Sequence, residues 1–311
     1  LINMKLIYDS TDDTKKQIFK STIDAYLLPM VEISTSGIRF ENSHFLLSKD
    51  KLRTVTNSKG ESYPEKLIDL LNPDGKDFED YKRRTATFYE TVGIQYREIS
   101  LESYEAMGME PITKLRTKIQ KRKILDIRSD NTGLMMSSTI VKAQGSPPLN
   151  ADKERQSEIL HNIAKKQNIQ PLRVVNEVCS GFSAMIDAAE NNLNVNKSLD
   201  HIIVLTNEKM SETIDYTNCT PSVLFGDLST AMVITRKKVD GFKILGSFSK
   251  HYRAYTDNTI GLEEGDCGKV DATWFDEGIS TNRRSMFRMD GRATYKHAVK
   301  EMPEAVKELA D

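Results

Sequence analysis

The segment Val174-Val175-Asn176-Glu177-Val178-Cys179-Ser180-Gly181-Phe182 joins an apolar run to two small residues through a cysteine. Residues 172–178, of which Leu172, Val174, Val175 and Val178 are apolar, are predicted to form a buried strand. A helix is predicted directly after it, because apolar side chains recur at helical spacing at Phe182, Met185, Ile186 and Ala189. The segment therefore predicts a strand that leads into a helix, with Cys179 at the junction.

The flanking sequence repeats this alternation of strands and helices. Apolar periodicity predicts, in chain order, a helix through Ile112, Leu115 and Ile119, a strand at 133–136, a helix at 158–166, a strand at 202–205, β-rich segments at 222–236 and 241–248, and a last helix from Gly291. Strands separated by helices of about a dozen residues are typical of a parallel sheet with helices on its faces. The chain is therefore predicted to be an α/β protein.

The N-terminal region does not follow this alternation of strands and helices, so its elements are predicted separately. Ile18, Phe19, Ile23 and Tyr26 fall at helical spacing, which predicts an amphipathic helix that ends at Pro29. Residues 38–47 are predicted to form a strand. The polar residues 57–82 are predicted to form a loop, with a short helix at 65–71.

Composition excludes several classes of function. The 311 residues carry a formal net charge of -1, which gives no general attraction to nucleic acid or to an anionic membrane. No apolar stretch approaches the length of a membrane span, and the first residues lack the pattern of a secretory signal. Three cysteines are too few for a disulfide scaffold. We expect a cytoplasmic protein with no nucleic-acid partner.

Cys179 is the candidate nucleophile. The N–H groups at the start of a helix have no partner within the helix and favour negative charge, so a thiol placed there ionises more readily. Ser180 and Gly181 are small and leave room for a substrate. The alternative is a buried cysteine with a structural role only.

Five segments, in the correct order, resemble β-ketoacyl-ACP synthase III enzymes of the thiolase superfamily. Residues 176–184 resemble the active-site cysteine segment of that family. The other four are 91–97, similar to "RTGIRER"; 134–139, similar to the strand before the substrate loop; Leu224-Phe225-Gly226-Asp227, similar to "FGDG"; and 287–299, similar to "MxGREVFKxAV". The resemblance implies a thiolase-like fold with α-β-α-β-α layers.

The resemblance also implies a reaction. The thiolate of Cys179 would take an acyl group from a thioester of CoA or of the phosphopantetheine arm of an acyl carrier protein, with no bound cofactor and no metal. In the family, a malonyl unit is then decarboxylated and condensed onto the acyl group. A homodimer, or a heterodimer with another thiolase-fold subunit, is expected. An acyltransferase of this type is the first functional hypothesis.

The resemblance runs from about residue 38 to residue 311. We therefore expect an N-terminal extension at 1–37, a thiolase-like N-terminal half with Cys179 at 38–237, and a partial C-terminal half at 238–311. The family supplies a catalytic histidine and a catalytic asparagine from its C-terminal half. None of the five histidines of this chain stands in the family's histidine segment, and the asparagine is not identified either. The chain is accordingly a fragment, half of a split enzyme, or a degenerate relative. A non-catalytic subunit that completes or regulates a partner ketosynthase is the second hypothesis.

Glu177 is unusual for a position so close to the nucleophile. On an extended strand it would share a face with Cys179, where its charge would oppose ionisation of the thiol. It could serve as a general base in place of the absent histidine. Alternatively, it pairs with a cation in a subunit interface.

Three basic residues lie along the predicted last helix. Arg292, Lys296 and Lys300 are spaced four residues apart and so form one row on the helix surface. An acidic carrier protein could dock on this row. The alternative is an ordinary solvated helix face.

Overall fold

A computed structural model describes the following residues, to which every structural statement below refers: 5–8, 14–21, 23–35, 37–41, 54–56, 62–64, 87, 90–94, 96–100, 102–138, 150–177, 180–210, 224–252, 260–266 and 283–310. Its helices are α1 (Tyr104–Arg122), α2 (Asn150–Gln167), α3 (Gly181–Val195) and α4 (Gly291–Ala310). The first eight strands are β1 (Lys5–Tyr8), β2 (Thr14–Lys20), β3 (Tyr26–Leu27), β4 (Glu32–Ile33), β5 (Gly37–Glu41), β6 (Thr54–Thr56), β7 (Ser62–Pro64) and β8 (Tyr96–Ser100). The remaining strands are β9 (Thr132–Ser137), β10 (Gln170–Val175), β11 (His201–Lys209), β12 (Asp227–Thr235), β13 (Phe242–Lys243), β14 (Gly246–Tyr252), β15 (Ile260–Asp266) and β16 (Arg283–Met289).

The main sheet has the strand order β10-β9-β11-β12-β3-β13, with β4 also paired to β12. Strands β10, β9 and β11 are mutually parallel, and β12 pairs with β11 in the antiparallel sense. Strand β9 is buried along its whole length and reads as a nearly continuous apolar run. This is the pattern of a parallel strand that is covered on both faces.

Each face of the main sheet has its own hydrophobic core. Alternate residues of β9 and β11 point to opposite faces. On one face Leu134, Met136 and Leu205 pack against α1 and α2. On the other face, Met135 and Val204 pack against α3. The sheet is therefore the middle layer of an α-β-α arrangement.

Two more layers lie beyond α3. Strands β1, β2 and β14 form a second, antiparallel sheet, in which β2 pairs with β14 along seven residues from Gly246↔Lys20 to Tyr252↔Thr14. Helix α3 contacts both the main sheet and β14, and α4 contacts β14. The sequence of layers is thus α-β-α-β-α. A helix between two sheets must be apolar on more than one side, and α3 has buried or half-buried side chains around most of its circumference.

Most of the predicted elements are present. The predicted helices through Ile112 and at 158–166 correspond to α1 and α2, and the last helix starts at Gly291 as expected. The strands predicted at 133–136 and 202–205 are the central parts of β9 and β11. Of the strand predicted at 38–47, residues 38–41 belong to β5, and the rest lies outside the described residues, as do 65–71.

The predicted N-terminal helix is wrong. Its residues form β2 and β3 instead. The helical spacing of Ile18, Phe19, Ile23 and Tyr26 was a local signal, whereas β2 is held by backbone pairing to β14, more than 200 residues away in the sequence. Long-range strand pairing overrides the local helical preference that this spacing indicates.

Residues near the predicted boundary at 37 contribute to the main sheet. Strand β3 pairs with β12 and β13, and β4 pairs with β12. The side chains of Ala25, Leu28 and Met30 are buried in the two cores. The division of the chain at residues 37 and 237 stays a prediction.

Arg236 fixes the C-terminal end of α3. Its Nη2 donates to the carbonyl of Leu193 and, at 3.0 Å, to the carbonyl of Asn196. These carbonyls belong to the end of the helix, where they have no partner within it and where the helix dipole favours a cation. The arginine, which directly follows β12, therefore ties α3 to the main sheet at the end remote from Cys179.

His201 is a structural histidine at the start of β11. It is buried, and its Nδ1 lies 2.9 Å from Oγ1 of Thr235. The same hydroxyl lies 3.2 Å from the carbonyl of Asp200 and accepts from the backbone N–H of Lys237 at 3.0 Å. Burial lowers the pKa of His201, and the charge of Lys237 acts in the same direction against the opposing effect of Asp200.

We predict that this histidine makes the fold less stable in acid. The unfolded state takes up a proton near pH 6.5, whereas the folded state does so only at lower pH. The contribution of neutral His201 to the free energy of unfolding is therefore fully present above the ordinary pKa of histidine. It is lost as the pH falls through the lowered pKa of the folded state. Urea unfolding at pH 7.5 and 5.5 should show a smaller loss of stability in His201→Gln than in the wild type. His161→Gln, at an exposed position on α2, is the control; an equal loss in wild type and His201→Gln would contradict the prediction.

Among the described residues, no helix combines the length and the apolar character that crossing a membrane requires.

Candidate active site

The candidate site lies at the edge of the main sheet where three parallel strands end. Val175 of β10 pairs with Ser137 of β9, and Thr206 of β11 pairs with the same Ser137, so these residues stand side by side near the carboxyl ends of their strands. Helix α3 begins at this edge, six residues after Val175. In open α/β sheets, ligands bind beyond the carboxyl ends of the strands, and α3 directs its N-terminus to that region.

A tight turn links β10 to α3. Strand β10 ends at Val175, and the N–H of Ser180 donates to the carbonyl of Glu177 at 2.9 Å. Val178 and Cys179 are outside the described residues. The strand is thus shorter than the predicted 172–178, and the role of Cys179 stays a prediction that depends on its place between Glu177 and Ser180.

Gly181, the first residue of α3, lies directly against Ser137 of β9. A Cβ built on Gly181 would be 2.0 Å from Oγ of Ser137 and 3.1 Å from its Cβ. Both residues are buried. A side chain at position 181 fits only if the Ser137 hydroxyl rotates away or the helix or strand shifts, so glycine allows the helix to start in contact with the end of β9.

The first turn of α3 is open to a negatively charged group. It contains no acidic residue, and the hydroxyl of Ser180 makes no capping hydrogen bond to it. The first N–H groups of the helix are therefore bonded neither to an acidic side chain of that turn nor to the Ser180 hydroxyl. Unpaired N–H groups and the helix dipole together favour an anion at this end.

Glu177 is exposed and lies in the turn, not on the strand. The alternation of side chains along an extended strand therefore does not set its direction relative to Cys179. The extended strand predicted at Glu177 is therefore wrong, since β10 ends at Val175. Glu177 is two residues before Cys179 in the sequence and is accessible to solvent. Its role as a base stays a prediction.

The basic row on α4 is exposed as predicted. Arg292, Lys296 and Lys300 are all on the surface, and Lys300 forms an ion pair of 3.1 Å with Glu301. The row lies on α4, which contacts β14 of the second sheet. Docking of a carrier protein on this row stays a prediction.

An apolar row lies beside the basic row on α4. Its large side chains are exposed over more than half of their surface: Tyr295 by 70%, Val299 by 55%, Met302 by 68% and Val306 by 67%. The spacing of four, three and four residues places them on one stripe of the helix. We refer to these four residues as the apolar stripe.

Sequence reasoning missed Ser137. The motif at residues 134–139 was assigned to a strand before the substrate loop, but no role was given to its serines. A usable signal was present, because the strand is apolar from Leu134 to Met136 and becomes polar at its carboxyl end. Polar residues at that end of a parallel strand are placed where ligands bind.

Known proteins resemble this chain in sequence. Residues 175–252 match the family model described as 3-oxoacyl-[acyl-carrier-protein (ACP)] synthase III. A β-ketoacyl-[acyl-carrier-protein] synthase III of Aquifex aeolicus is 29% identical over 139 residues, which cover 44% of this chain and 37% of that protein. The synthase III of Wolbachia pipientis is 25% identical over 217 residues, covering 70% of this chain and 59% of the relative. The chain spans about two fifths of the length of the first curated relatives it matches.

Solved structures resemble the chain in fold. The 3-oxoacyl-(acyl-carrier protein) synthase of Burkholderia xenovorans LB400 superimposes with a TM-score of 0.54 at 14% identity, covering 97% of this chain and 71% of that one. The synthase III of Pseudomonas aeruginosa PAO1 gives a TM-score of 0.54 at 14% identity, covering 92% and 70%. The predicted thiolase-like α/β fold is confirmed.

We predict that Gly181→Ala destabilises the protein by about 1–3 kcal/mol, because the new methyl group overpacks the contact with Ser137. In most helix positions the same change would be neutral or favourable. Removing Oγ in the double variant Gly181→Ala/Ser137→Ala should recover part of the loss, and the Cβ contact should retain the rest. Urea unfolding of the four proteins of this double-mutant cycle gives the coupling energy. Additive effects would show that the two residues do not touch.

Proposed function

We propose that this chain, a β-ketoacyl-ACP synthase III-like protein of the thiolase superfamily, accepts an acyl group on the sulfur of Cys179 from an acyl thioester. One observation carries the proposal. The N-terminus of α3 lies at the edge where the parallel strands end, and Cys179 is two residues before it, within the segment that matches the family model.

The start of α3 supports an ionised sulfur. Its first turn has no carboxylate to compete for the N–H groups, and Gly181 holds the helix against β9. A thiolate is the nucleophilic form of cysteine, and a helix N-terminus lowers the pKa of a thiol. The site is thereby suited to nucleophilic attack at neutral pH.

The transfer is a thioester exchange. The Cys179 sulfur forms a bond to the carbonyl carbon, and the carbonyl oxygen carries the negative charge of the tetrahedral intermediate. The intermediate collapses with cleavage of the bond to the donor sulfur, which leaves as a thiolate and takes a proton from solvent. N–H groups at the start of α3 would stabilise the oxygen as charge develops on it.

The donor is proposed to be a thioester of phosphopantetheine, carried either by CoA or by an acyl carrier protein. The exposed row of Arg292, Lys296 and Lys300 is suited to an acidic carrier protein. Such surface charges act mainly on the rate of association and are screened by salt. A carrier-protein donor should therefore react more slowly as salt increases, with less effect on the CoA donor.

Intact mass spectrometry tests the proposal. After incubation with acetyl-CoA or an acetylated carrier protein, we expect one acyl adduct on the wild type and none on Cys179→Ala. Cys219→Ala, which removes a different cysteine, is the matched control and should be acylated like the wild type. An adduct that persists in Cys179→Ala would place the chemistry elsewhere.

Glu177→Gln in the same assay tests the base. If the carboxylate takes the thiol proton, the substitution should lower the acylation rate between pH 6 and 8 while the final extent of acylation stays the same. If Glu177 belongs to an interface, the rate should not change across this range.

A second function is favoured by the apolar stripe. Monomeric proteins rarely expose contiguous apolar patches without a partner. The stripe is therefore suited to a protein interface. The alternative proposal is a subunit that packs the stripe against a thiolase-fold partner and completes or regulates that partner.

Co-expression with a thiolase-fold polypeptide from the same genome tests the alternative. We expect a stoichiometric complex that is lost in Val299→Asp/Met302→Asp, because charge on the stripe opposes burial. Lys296→Ala, on the neighbouring basic row, should leave the complex intact. A complex of unchanged stability in the double variant would rule out the stripe as the interface.

A further inference from the structure

Three polar side chains lie side by side on the main sheet near the carboxyl ends of β9 and β11. Asn207 of β11 pairs with Ser229 of β12, and Ser138 directly follows the last residue of β9 that pairs with β11. All three are fully buried. Side chains alternate along a strand, and Met136 and Leu205, each two residues earlier, pack against α1 and α2. Ser138, Asn207 and Ser229 therefore face the core between the sheet and these two helices, and we refer to them as the polar row.

The side-chain amide of Asn207 has a fixed orientation. Its Nδ2 donates to the carbonyl of Tyr104, at the start of α1, at 2.8 Å. The reverse orientation would place two carbonyl oxygens, both acceptors, against each other. Oδ1 is thus the atom of the amide that is left to accept a hydrogen bond. Ser229 does not supply it, because its hydroxyl donates to the carbonyl of Thr206 at 3.1 Å.

Two atoms of the polar row are buried with no hydrogen-bond partner among the described residues. They are Oδ1 of Asn207 and Oγ of Ser138. The carbonyl of Ser138, by contrast, accepts from Nε2 of Gln156 of α2 at 3.3 Å. Buried polar atoms are nearly always bonded, either to protein or to ordered water. Leaving either atom without a partner would make the fold less stable.

We propose that Asn207 and Ser138 bind one internal water molecule, which donates to Oδ1 of Asn207 and is hydrogen-bonded to Oγ of Ser138. An amide oxygen only accepts, whereas a hydroxyl donates or accepts, so one water satisfies both atoms. Neighbouring strands are about 4.8 Å apart, and two hydrogen bonds of about 2.8 Å to one water span a similar distance. Because neither side chain is accessible to solvent, the site is suited to water and not to a larger ligand.

The water would extend the connection between β9 and β11 past the last backbone pair of these strands. That pair includes Ser137, whose side chain lies against Gly181 of α3. The bridge therefore strengthens the end of β9 on which α3 rests. It does so whether or not Cys179 accepts an acyl group, so this inference is independent of the proposed function.

Oxygen-17 magnetic relaxation dispersion, which counts long-lived internal water molecules, tests the inference. We expect the count in Ser138→Ala to be one lower than in the wild type, because a buried water needs at least two polar partners. Thr132→Val is the matched control. Its hydroxyl is buried on the same strand but donates to Oδ1 of Asn131 at 2.8 Å, so its removal should leave the count unchanged. An unchanged count in Ser138→Ala, or an equal fall in Thr132→Val, would overturn the inference.

Urea unfolding gives a second test, in which the two possibilities differ in sign. If the Ser138 hydroxyl is bonded to water, Ser138→Ala breaks a hydrogen bond and should unfold at a lower urea concentration than the wild type. If the hydroxyl has no partner, the same change removes an unsatisfied group and the midpoint should stay the same or rise. We expect the lower midpoint, and either of the other results would contradict the water bridge.

A high-resolution crystal structure of the wild type tests the site without any substitution. We expect a water within about 3 Å of both Oδ1 of Asn207 and Oγ of Ser138. A direct hydrogen bond between these two side chains, or a protein group that donates to Oδ1 in place of water, would overturn the inference.

Discussion

The contact between Gly181 and Ser137 is the constraint on which the candidate site depends. It joins the first residue of α3 to the carboxyl end of β9 with no space for a Cβ between them. The N-terminus of the helix is thereby fixed at the edge of the sheet, and the turn that holds Glu177 and Ser180 must fit between β10 and α3. A helix dipole stabilises a charge best when the helix is held in a fixed position, and the contact between Gly181 and Ser137 holds α3 in this way.

The rest of the fold holds α3 from its sides and its far end. The helix packs on the main sheet through Met185, Ala189 and Leu193, while Arg236 binds the carbonyls at its C-terminus. Strand β14 contacts it from the second sheet, which includes β2 from the N-terminal region. Both parts of the chain therefore contribute to the position of one helix. The apolar stripe of α4, by contrast, faces solvent on the outermost layer.

Elements were predictable from the sequence where the spacing of apolar residues matches the faces that the element buries in the fold. The runs that became β9 and β11 are apolar because both faces of the sheet are covered, and α1 and α2 show one apolar face each. The N-terminal strand β2 was not predictable from its own spacing, because its longer pairing is with β14, a strand distant in sequence. Ser137 was missed for a related reason. Its proximity to Gly181 arises from the packing of α3 on β9, and no spacing in the sequence records it.

The proposed transfer requires that the backbone of α3 promotes ionisation of Cys179. Alkylation rates of the three cysteines, compared in the native wild-type protein at pH 7, measure that ionisation. A helix N-terminus lowers the pKa of a thiol and so raises the fraction present as reactive thiolate. We expect Cys179 to react faster than Cys219 and Cys267, and urea to remove this difference. A Cys179 that reacts no faster in the native protein than in the unfolded chain would contradict it.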